Sequence, residues 1–161
     1  MDRDELLALE DDELLRHCRC DTFRASGPGG QHRNTSDSAV RLTLEDTEVS
    51  AIASEERSQH RNRARAVKRL RLQIALNLRR DPAPSWDGPW KPGARDRQYA
   101  VFVAHVFDAL AATEYRVSDA AKLLEVSTGR LVRTLAADTT LWARVNQARE
   151  KRDMKPLKMD K

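Results

Sequence analysis

The sequence of 161 residues lacks a long apolar run, and this absence excludes a membrane-spanning helix. Its longest charge-free apolar stretch, Tyr99 to Phe107, contains His105 and is far shorter than the roughly 20 residues that cross a bilayer. The acidic start, Met1 to Glu5, leads into no apolar segment of the signal-peptide kind. We therefore expect a cytoplasmic protein with no secretory leader and no membrane partner.

Cysteine is scarce, and the two residues present are Cys18 and Cys20. They lie too close together for an ordinary structural disulfide, so a reducing compartment is the simplest interpretation. With His17 they could approach a metal ion, but a fourth ligand is missing. The sequence therefore predicts neither a metal site nor a cofactor.

Charge is distributed unevenly although the net charge is only +4. Residues 1–18 carry seven acidic and two basic side chains, whereas residues 57–80 carry nine Lys or Arg and no Asp or Glu. Such asymmetry favours a polyanionic partner. A solvated helix face is the alternative interpretation of the basic run, and charge alone does not separate the two.

The residue pattern predicts an α+β domain followed by an all-α unit. Alternation of apolar and polar residues indicates short strands over 19–25, 38–44 and 49–53. Helical periodicity predicts a long packing helix over residues 55–78. The predicted segments are an acidic helix over 1–17, the α+β domain over 18–79, a Pro-, Gly- and Trp-containing linker over 80–94, a helical unit over 95–150 and a basic flexible tail over 151–161.

Helical periodicity separates two faces of the long helix. Val67, Leu70, Ile74 and Leu78 share one face, which we expect to pack on the sheet. The basic residues fall on another sector: Arg57, Arg61, Arg65, Lys68 and Arg69. In the linker, Trp86 and Trp90 are expected to hold the chain to a neighbouring surface, because free tryptophans would expose apolar area.

The stretch from Ser26 to His32 contains three glycines in four residues, which excludes regular structure. It lacks the Gly-Lys-Ser/Thr ending of a P-loop and the spacing of a hydrolase elbow. His32, Asp37 and Ser38 have the residue types of a catalytic triad. All three fall on one loop and the strand that follows it, so close together that triad chemistry is not expected. A loop remains that can present backbone N–H groups to a developing oxyanion, with Gln31 at its tip.

The residues around this loop carry a specific resemblance. The segments Phe23–His32, Asp37–Leu42 and Glu56–Ala64, with Asn34 between the first two, closely resemble the catalytic domain of class I peptide chain release factors. The likeness covers residues 18–78 in the same order. It implies a small release-factor-like domain with a short mixed or antiparallel sheet and a long packing helix.

The resemblance also implies a site and a reaction. Gly29, Gly30 and Gln31 would enter the peptidyl transferase centre of the large ribosomal subunit and promote attack of water on the peptidyl-tRNA ester. Gln31 is also a candidate for methylation, as in such factors. Ribosomal RNA and peptidyl-tRNA are the implied partners of a monomeric protein. The side chains expected to contact RNA are Arg24, Arg33, Arg57, Arg61, Arg65, Lys68 and Arg69.

The sequence departs from the family pattern at several places. Arg33 and Thr35 stand where these factors commonly carry an aliphatic and a basic residue. No codon-reading domain precedes Phe23, and the chain contains neither a Pro-x-Thr nor a Ser-Pro-Phe tripeptide. The organisation is similar to that of ribosome-rescue hydrolases, although the tail is less basic than theirs. We therefore expect peptide release without stop-codon recognition.

Residues 117–133 have the residue pattern of a helix-turn-helix: two small alanines, a short turn, and a second helix on which Thr128, Arg130 and Arg133 are expected to face outward. An ordinary helical bundle is the alternative, and we favour it because the second helix is only modestly basic. The alternative to an enzyme is a non-catalytic RNA- or DNA-binding regulatory protein that keeps the release-factor fold. The intact Gly29-Gly30-Gln31 favours the enzyme.

Overall fold

The computed structural model describes residues 1–24, 37–83 and 86–158, and it divides the chain into two compact units. The first unit runs from Met1 to Leu78 and the second from Arg79 to Lys161. Within the described ranges, no helix is both long and apolar enough to span a membrane. The predicted α+β class is confirmed, since strands and helices both build the first unit.

A three-stranded antiparallel sheet forms one layer of the first unit. Its strands are β1 (Cys18–Phe23), β2 (Ala39–Leu44) and β3 (Ser50–Ala53), hydrogen-bonded in that order. Phe23 pairs with Ala39 at one end of the β1–β2 register. Because side chains alternate along a strand, β2 turns an apolar face toward the core and leaves Arg41 exposed on the other face.

Helix α3 (Gln59–Asn77) covers the sheet and packs against β2 and β3. Ser58 caps it, since its hydroxyl accepts a hydrogen bond from the Arg61 amide at 3.4 Å. The fully or almost fully buried core residues are Val40, Leu42, Ala53, Val67, Leu70 and Ile74. Each buried Val, Leu or Ile side chain contributes about 1.5–3 kcal/mol. The predicted apolar face is confirmed for its three buried members, but the helix begins later than predicted because residues 55–57 form a bend.

The N-terminal segment forms two short helices, α1 (Arg3–Ala8) and α2 (Asp11–Leu15). Leu9 between them has an extended backbone, with ψ 151°. The guanidinium of Arg71, a buried residue of α3, donates to the carbonyls of Leu7 at 2.9 Å and Leu9 at 2.5 Å. A continuous helix would need those carbonyls for its own hydrogen bonds. The prediction of one unbroken helix is wrong for this reason.

The start of the first unit is joined directly to its end. Arg3 is only 7% exposed, and its Nη1 donates to the Leu78 carbonyl at 3.1 Å. Leu7 and Leu14 are fully buried, and both N-terminal helices pack against α3. The acidic N-terminal segment is therefore an integral part of the first unit.

The second unit contains four helices in its described residues. They are α4 (Gln98–Ala112), α5 (Val117–Leu123), α6 (Thr128–Ala136) and α7 (Thr139–Glu150). Helix α4 is its central element, because residues 102–110 are all buried. Helices α5, α6 and α7 follow in sequence, each packed against the one before. The sequence, with Ser127 as a candidate capping residue, predicts a helix over 128–136, and α6 has these bounds.

Two tryptophans fix the linker to helices of the second unit. The Trp86 ring lies 5.6 Å, centroid to centroid, from the rings of Phe102 and His105. The Trp90 ring lies 5.1 Å from Phe102, and its Nε1 donates to Thr134 Oγ1 at 3.0 Å. The prediction that these tryptophans hold the linker to a neighbouring surface is confirmed.

The α5–α6 pair leaves both sequence interpretations open. Residues 124–127 join the helices, and Glu125 adopts a left-handed conformation with φ 56°. Ala120 and Ala121 are buried, while Arg130 and Arg133 are exposed. This placement agrees with a helix-turn-helix and with a small bundle alike.

Residues 151–158 fold back along the second unit. Arg149 Nε donates to the Lys155 carbonyl at 2.9 Å, and the Leu157 amide donates to Asn146 Oδ1 at 2.7 Å. The sequence alone did not suggest these contacts, because the tail offers few apolar residues.

Candidate functional site

The predicted catalytic residues Gly29, Gly30 and Gln31 lie outside the described residues, and so does Arg33. The structure describes the residues on either side of this stretch, Arg24 after β1 and Asp37 before β2. We call these flanking residues, 24 and 37–38, the stems of the glycine segment. The site is built from the stems and from the start of α3.

An ion pair joins the two stems. Arg24 Nε donates to Asp37 Oδ1 at 3.0 Å, just beyond the last strand pair, Phe23 and Ala39. Both charged side chains are more than half exposed, so the ion pair contributes about 0–1 kcal/mol. Arg24, expected to contact RNA, is thus engaged within the chain itself.

A buried amide holds the second stem to the start of α3. Asn62 is fully buried, and its Nδ2 donates to the Ser38 carbonyl at 2.6 Å and to the Glu56 carbonyl at 2.9 Å. Its Oδ1 accepts from the Glu56 amide at 3.0 Å. Gln59 Nε2 adds a hydrogen bond to the Asp37 carbonyl at 3.2 Å. Both residues of the second stem are therefore tied to the first turn of α3.

Besides Arg24, three more of the predicted RNA-binding arginines form ion pairs within the first unit. Arg65 Nη2 lies 2.6 Å from Glu56 Oε1, and Arg61 Nη1 lies 3.8 Å from Glu56 Oε2. Arg69 pairs with Glu55. The two acidic residues therefore neutralise part of the basic surface that the sequence predicts.

Arg57 and Lys68 differ from those three arginines. Among the described residues, neither forms an ion pair or a hydrogen bond through its side chain, and both are exposed. The prediction that Arg57 lies on the long helix is wrong, because α3 begins at Gln59 and Arg57 lies in the bend before it. These two cations are available to an external anion.

The Glu55–Arg69 pair predicts a pH dependence. The hydrogen bond from Arg69 lowers the pKa of Glu55 from 4.5 to about 2. Because the folded pKa is lowered, the stabilisation from this pair is fully present above about pH 4.5 and is lost as the pH falls toward 2. The Glu55 side chain is 45% exposed, so solvent screening keeps that stabilisation small.

We expect the Glu55 carboxyl signal in an NMR titration to remain mostly that of the ionised form at pH 3.5. In Arg69→Ala the same signal should be mostly that of the protonated form at this pH. An unaltered chain whose Glu55 titrates near 4.5 would contradict the pairing.

Cys18, the first residue of β1, carries a thiol that is poorly suited to act as a nucleophile. Burial, with a smaller effect from Glu45, raises the pKa of Cys18 to about 11, so its thiol stays protonated at neutral pH. Its Sγ donates to the Leu14 carbonyl at 3.2 Å. Within the described part of the chain, no three His, Cys, Asp or Glu side chains cluster as metal ligands would.

The stems, the sheet and α3 lie in a region that matches the RF-1 domain family over residues 11–85. Over these residues the chain is similar to the RF-1 domain, and the match covers just under half of the chain. "Peptide chain release factor 1" of Rickettsia typhi is 42% identical over 93 residues, which cover 56% of this chain. The protein of the same name from Rickettsia akari is 48% identical over 75 residues, or 47% of this chain.

The RF-1 domain is one part of the proteins in which it occurs. The matched regions are 25% of the Rickettsia typhi relative and 20% of the Rickettsia akari relative, so the chain spans about a quarter or less of their length. In this chain the RF-1 domain match begins at α2, includes the sheet and α3, and ends in the linker at residue 85. Helices α4 to α7 lie beyond it.

Neither Asn62 nor Arg71 is predicted from the sequence as a functional residue, and both make hydrogen bonds that hold the RF-1 domain together. Asn62 had a detectable signal, because it precedes Ala66, Leu70 and Ile74 at intervals of four on the packing face of α3. A polar residue at the head of an apolar stripe indicates a buried hydrogen-bonding role. Arg71 had no comparable signal, because it is one of the nine Lys or Arg residues in 57–80 and nothing in the sequence distinguishes it from the others.

Proposed function

We propose that this chain hydrolyses the ester between peptide and tRNA on the ribosome, without requiring a stop codon. The observation that carries the proposal is the intact Gly29-Gly30-Gln31 sequence within an RF-1 domain whose second stem is held to α3. Its substrate is peptidyl-tRNA, and its partner is the RNA of the large ribosomal subunit.

The proposed reaction needs no side-chain base from the glycine segment. The oxygen of water attacks the ester carbonyl carbon, and a tetrahedral intermediate forms with a negative charge on the former carbonyl oxygen. The backbone N–H of Gln31 stabilises that charge, and its side chain orients the water. The carbon–oxygen bond to the tRNA then breaks, the leaving tRNA oxygen takes the proton given up by the attacking water and becomes a hydroxyl, and the peptide leaves as an acid.

Release without a stop codon is supported by what accompanies the RF-1 domain in this chain. Residues 86–158 form helices α4 to α7 and the segment that follows them, and the RF-1 match does not extend into these residues. The exposed Arg130 and Arg133 of α6 give this unit a surface that can contact a nucleic acid backbone.

The test adds purified full chain to ribosomes that hold labelled peptidyl-tRNA and a stop codon, a sense codon or a truncated message in the A site. Peptide release is measured under single-turnover conditions. We expect release with the sense codon or the truncated message at a rate similar to that with the stop codon. Release confined to stop codons would overturn codon independence, and no release in any state would overturn the hydrolase.

The basic surface predicts unequal effects of its cations on ribosome binding. We expect Lys68→Gln to reduce the slope of log affinity against log salt concentration by about one, because an unpaired cation can neutralise one phosphate directly. Arg65→Gln should change the slope less, since Arg65 must first give up its bond to Glu56. The slope of log affinity against log salt concentration measures both. Equal slope changes would show that the ion pair does not persist on the ribosome.

A nucleic-acid-binding regulator is the second candidate, and the exposed arginines of α6 are the observation that favours it. In that case the chain would bind ribosomal or other nucleic acid without release in any of the three ribosome states. The release assay therefore separates the two functions directly.

A further inference from the structure

We propose that Asn62, assisted by Gln59, is a positioning residue for peptide release, because it fixes the second stem of the glycine segment to the start of α3. This inference rests on the proposed function and assigns a role to residues outside the Gly29–Gln31 tripeptide. It is carried by the hydrogen bonds of one buried side chain and one exposed side chain.

The Asn62 amide is used almost to its full capacity. Its two N–H protons go to two different backbone carbonyls, those of Ser38 and Glu56, and its oxygen accepts from the Glu56 amide. The side chain is inaccessible to solvent, so water cannot replace a lost partner. Losing the amide would remove the donor from two partly buried backbone carbonyls at once.

These hydrogen bonds are not needed to form the helix or the core. Ser58 already caps α3, and Ala66, Leu70 and Ile74 continue the packing face below Asn62 with apolar side chains. An apolar residue at position 62 would extend that face. The amide instead joins two backbone segments that are distant in sequence, the end of the glycine segment and the bend before α3.

Gln59 continues the same connection on the exposed side. Its Nε2 donates to the carbonyl of Asp37, whose carboxylate pairs with Arg24 of the first stem. The second stem is thus held at two successive carbonyls, Asp37 and Ser38, by side chains three residues apart on one helix. The first stem is held by strand pairing and by the ion pair.

The sequence between the stems explains why such anchoring would matter for catalysis. A glycine loses more conformational entropy on ordering than any other residue, and three of them stand between the stems: Gly27, Gly29 and Gly30. Fixing the ends of such a stretch lowers the entropy that its ordering against a substrate would cost. A displacement of about 1 Å of a catalytic group can lower a rate about a hundredfold, so release should be sensitive to the stems.

The decisive variants are Asn62→Ala, which removes all three hydrogen bonds, and Gln59→Ala, which removes one exposed hydrogen bond and should leave the fold intact. The control is Ile74→Val, which destabilises the same helix without touching the stems. For each full-length variant, single-turnover release gives the rate at saturating protein and the half-saturating concentration. Hydrogen exchange of the peptide over residues 37–44 measures the stem in the free protein.

We expect Asn62→Ala to lower the saturating release rate about tenfold to a hundredfold, with less than about a threefold change in half-saturation. Gln59→Ala should lower the rate about threefold to tenfold, and Ile74→Val should leave it unchanged. Exchange over residues 37–44 should rise about tenfold in Asn62→Ala, while exchange at the centre of α3 stays the same.

Several results would overturn the proposal. One is an unchanged release rate in both variants. Another is a loss of release in Ile74→Val equal to that in Asn62→Ala, which would reduce the role of Asn62 to general stability. A wild-type chain that releases no peptide would refute the proposed function itself, and the exchange data would then show independently whether Asn62 holds the stem.

Discussion

Gly30→Ala is expected to lower the rate of peptide release about a hundredfold or more while ribosome binding stays the same. In the proposed mechanism, an added Cβ would restrict the backbone at position 30 and would keep the neighbouring Gln31 N–H from approaching the tetrahedral oxyanion closely. Removing one oxyanion-hole donor costs about 10²–10³ in rate in a characterised acyl-transfer enzyme. Single-turnover release at saturating protein, with binding measured separately by sedimentation, provides the comparison.

The matched control for this variant is Gly93→Ala. A Cβ at Gly93 would meet no heavy atom within 4 Å, and this glycine lies in the linker of the second unit. We expect this variant to release peptide at the unaltered rate. If Gly30→Ala matched its rate, the glycine segment would not be the catalytic element, and the hydrolase proposal would lose its main support.

Arg71→Ala is expected to destabilise the first unit by about 1–3 kcal/mol, because the carbonyl of the buried Leu7 loses its donor. Arg71 is 5% exposed, and its guanidinium bonds the carbonyls of Leu7 and Leu9 and the carboxylate of Asp11, the last at 2.8 Å. The variant leaves a void and removes the donors on which the break between α1 and α2 depends. Arg71→Lys should recover part of the loss, since an ammonium reaches fewer of these acceptors than a planar guanidinium.

The positions of the tryptophans allow this destabilisation to be assigned to one of the two units. Its three tryptophans all belong to the second unit: Trp86, Trp90 and Trp142. We expect urea unfolding followed by far-ultraviolet circular dichroism to shift in Arg71→Ala, while the transition followed by tryptophan fluorescence stays in place. An unchanged circular dichroism transition would contradict the role of Arg71, and equal shifts in both signals would show that the two units unfold together.

Local patterns were sufficient to predict some elements from the sequence. Helix α6 has a capping Ser127 and a clear apolar periodicity, and its predicted bounds match the structure. Strand β2 follows from the alternation of Val40, Leu42 and Leu44 with polar or small residues. The contacts of the linker tryptophans follow from the cost of exposing large rings. In each case the information lies within a few neighbouring residues.

Contacts between distant residues account for what the sequence did not predict. The break between α1 and α2 depends on Arg71, which is more than 60 positions away along the chain. The partial neutralisation of the basic helix depends on the direction in which Glu55 and Glu56 point from the bend before α3. Periodicity identifies the face of a residue, but it does not identify its hydrogen-bond partner.

The hydrogen bond from Arg3 to the Leu78 carbonyl has a consequence for how the first unit could be carried by another chain. A unit whose two ends meet occupies a single attachment point, so it can be inserted into a host protein without forcing the host's two flanking segments apart. Grafting residues 1–78 into an exposed loop of an unrelated protein should therefore preserve both folds.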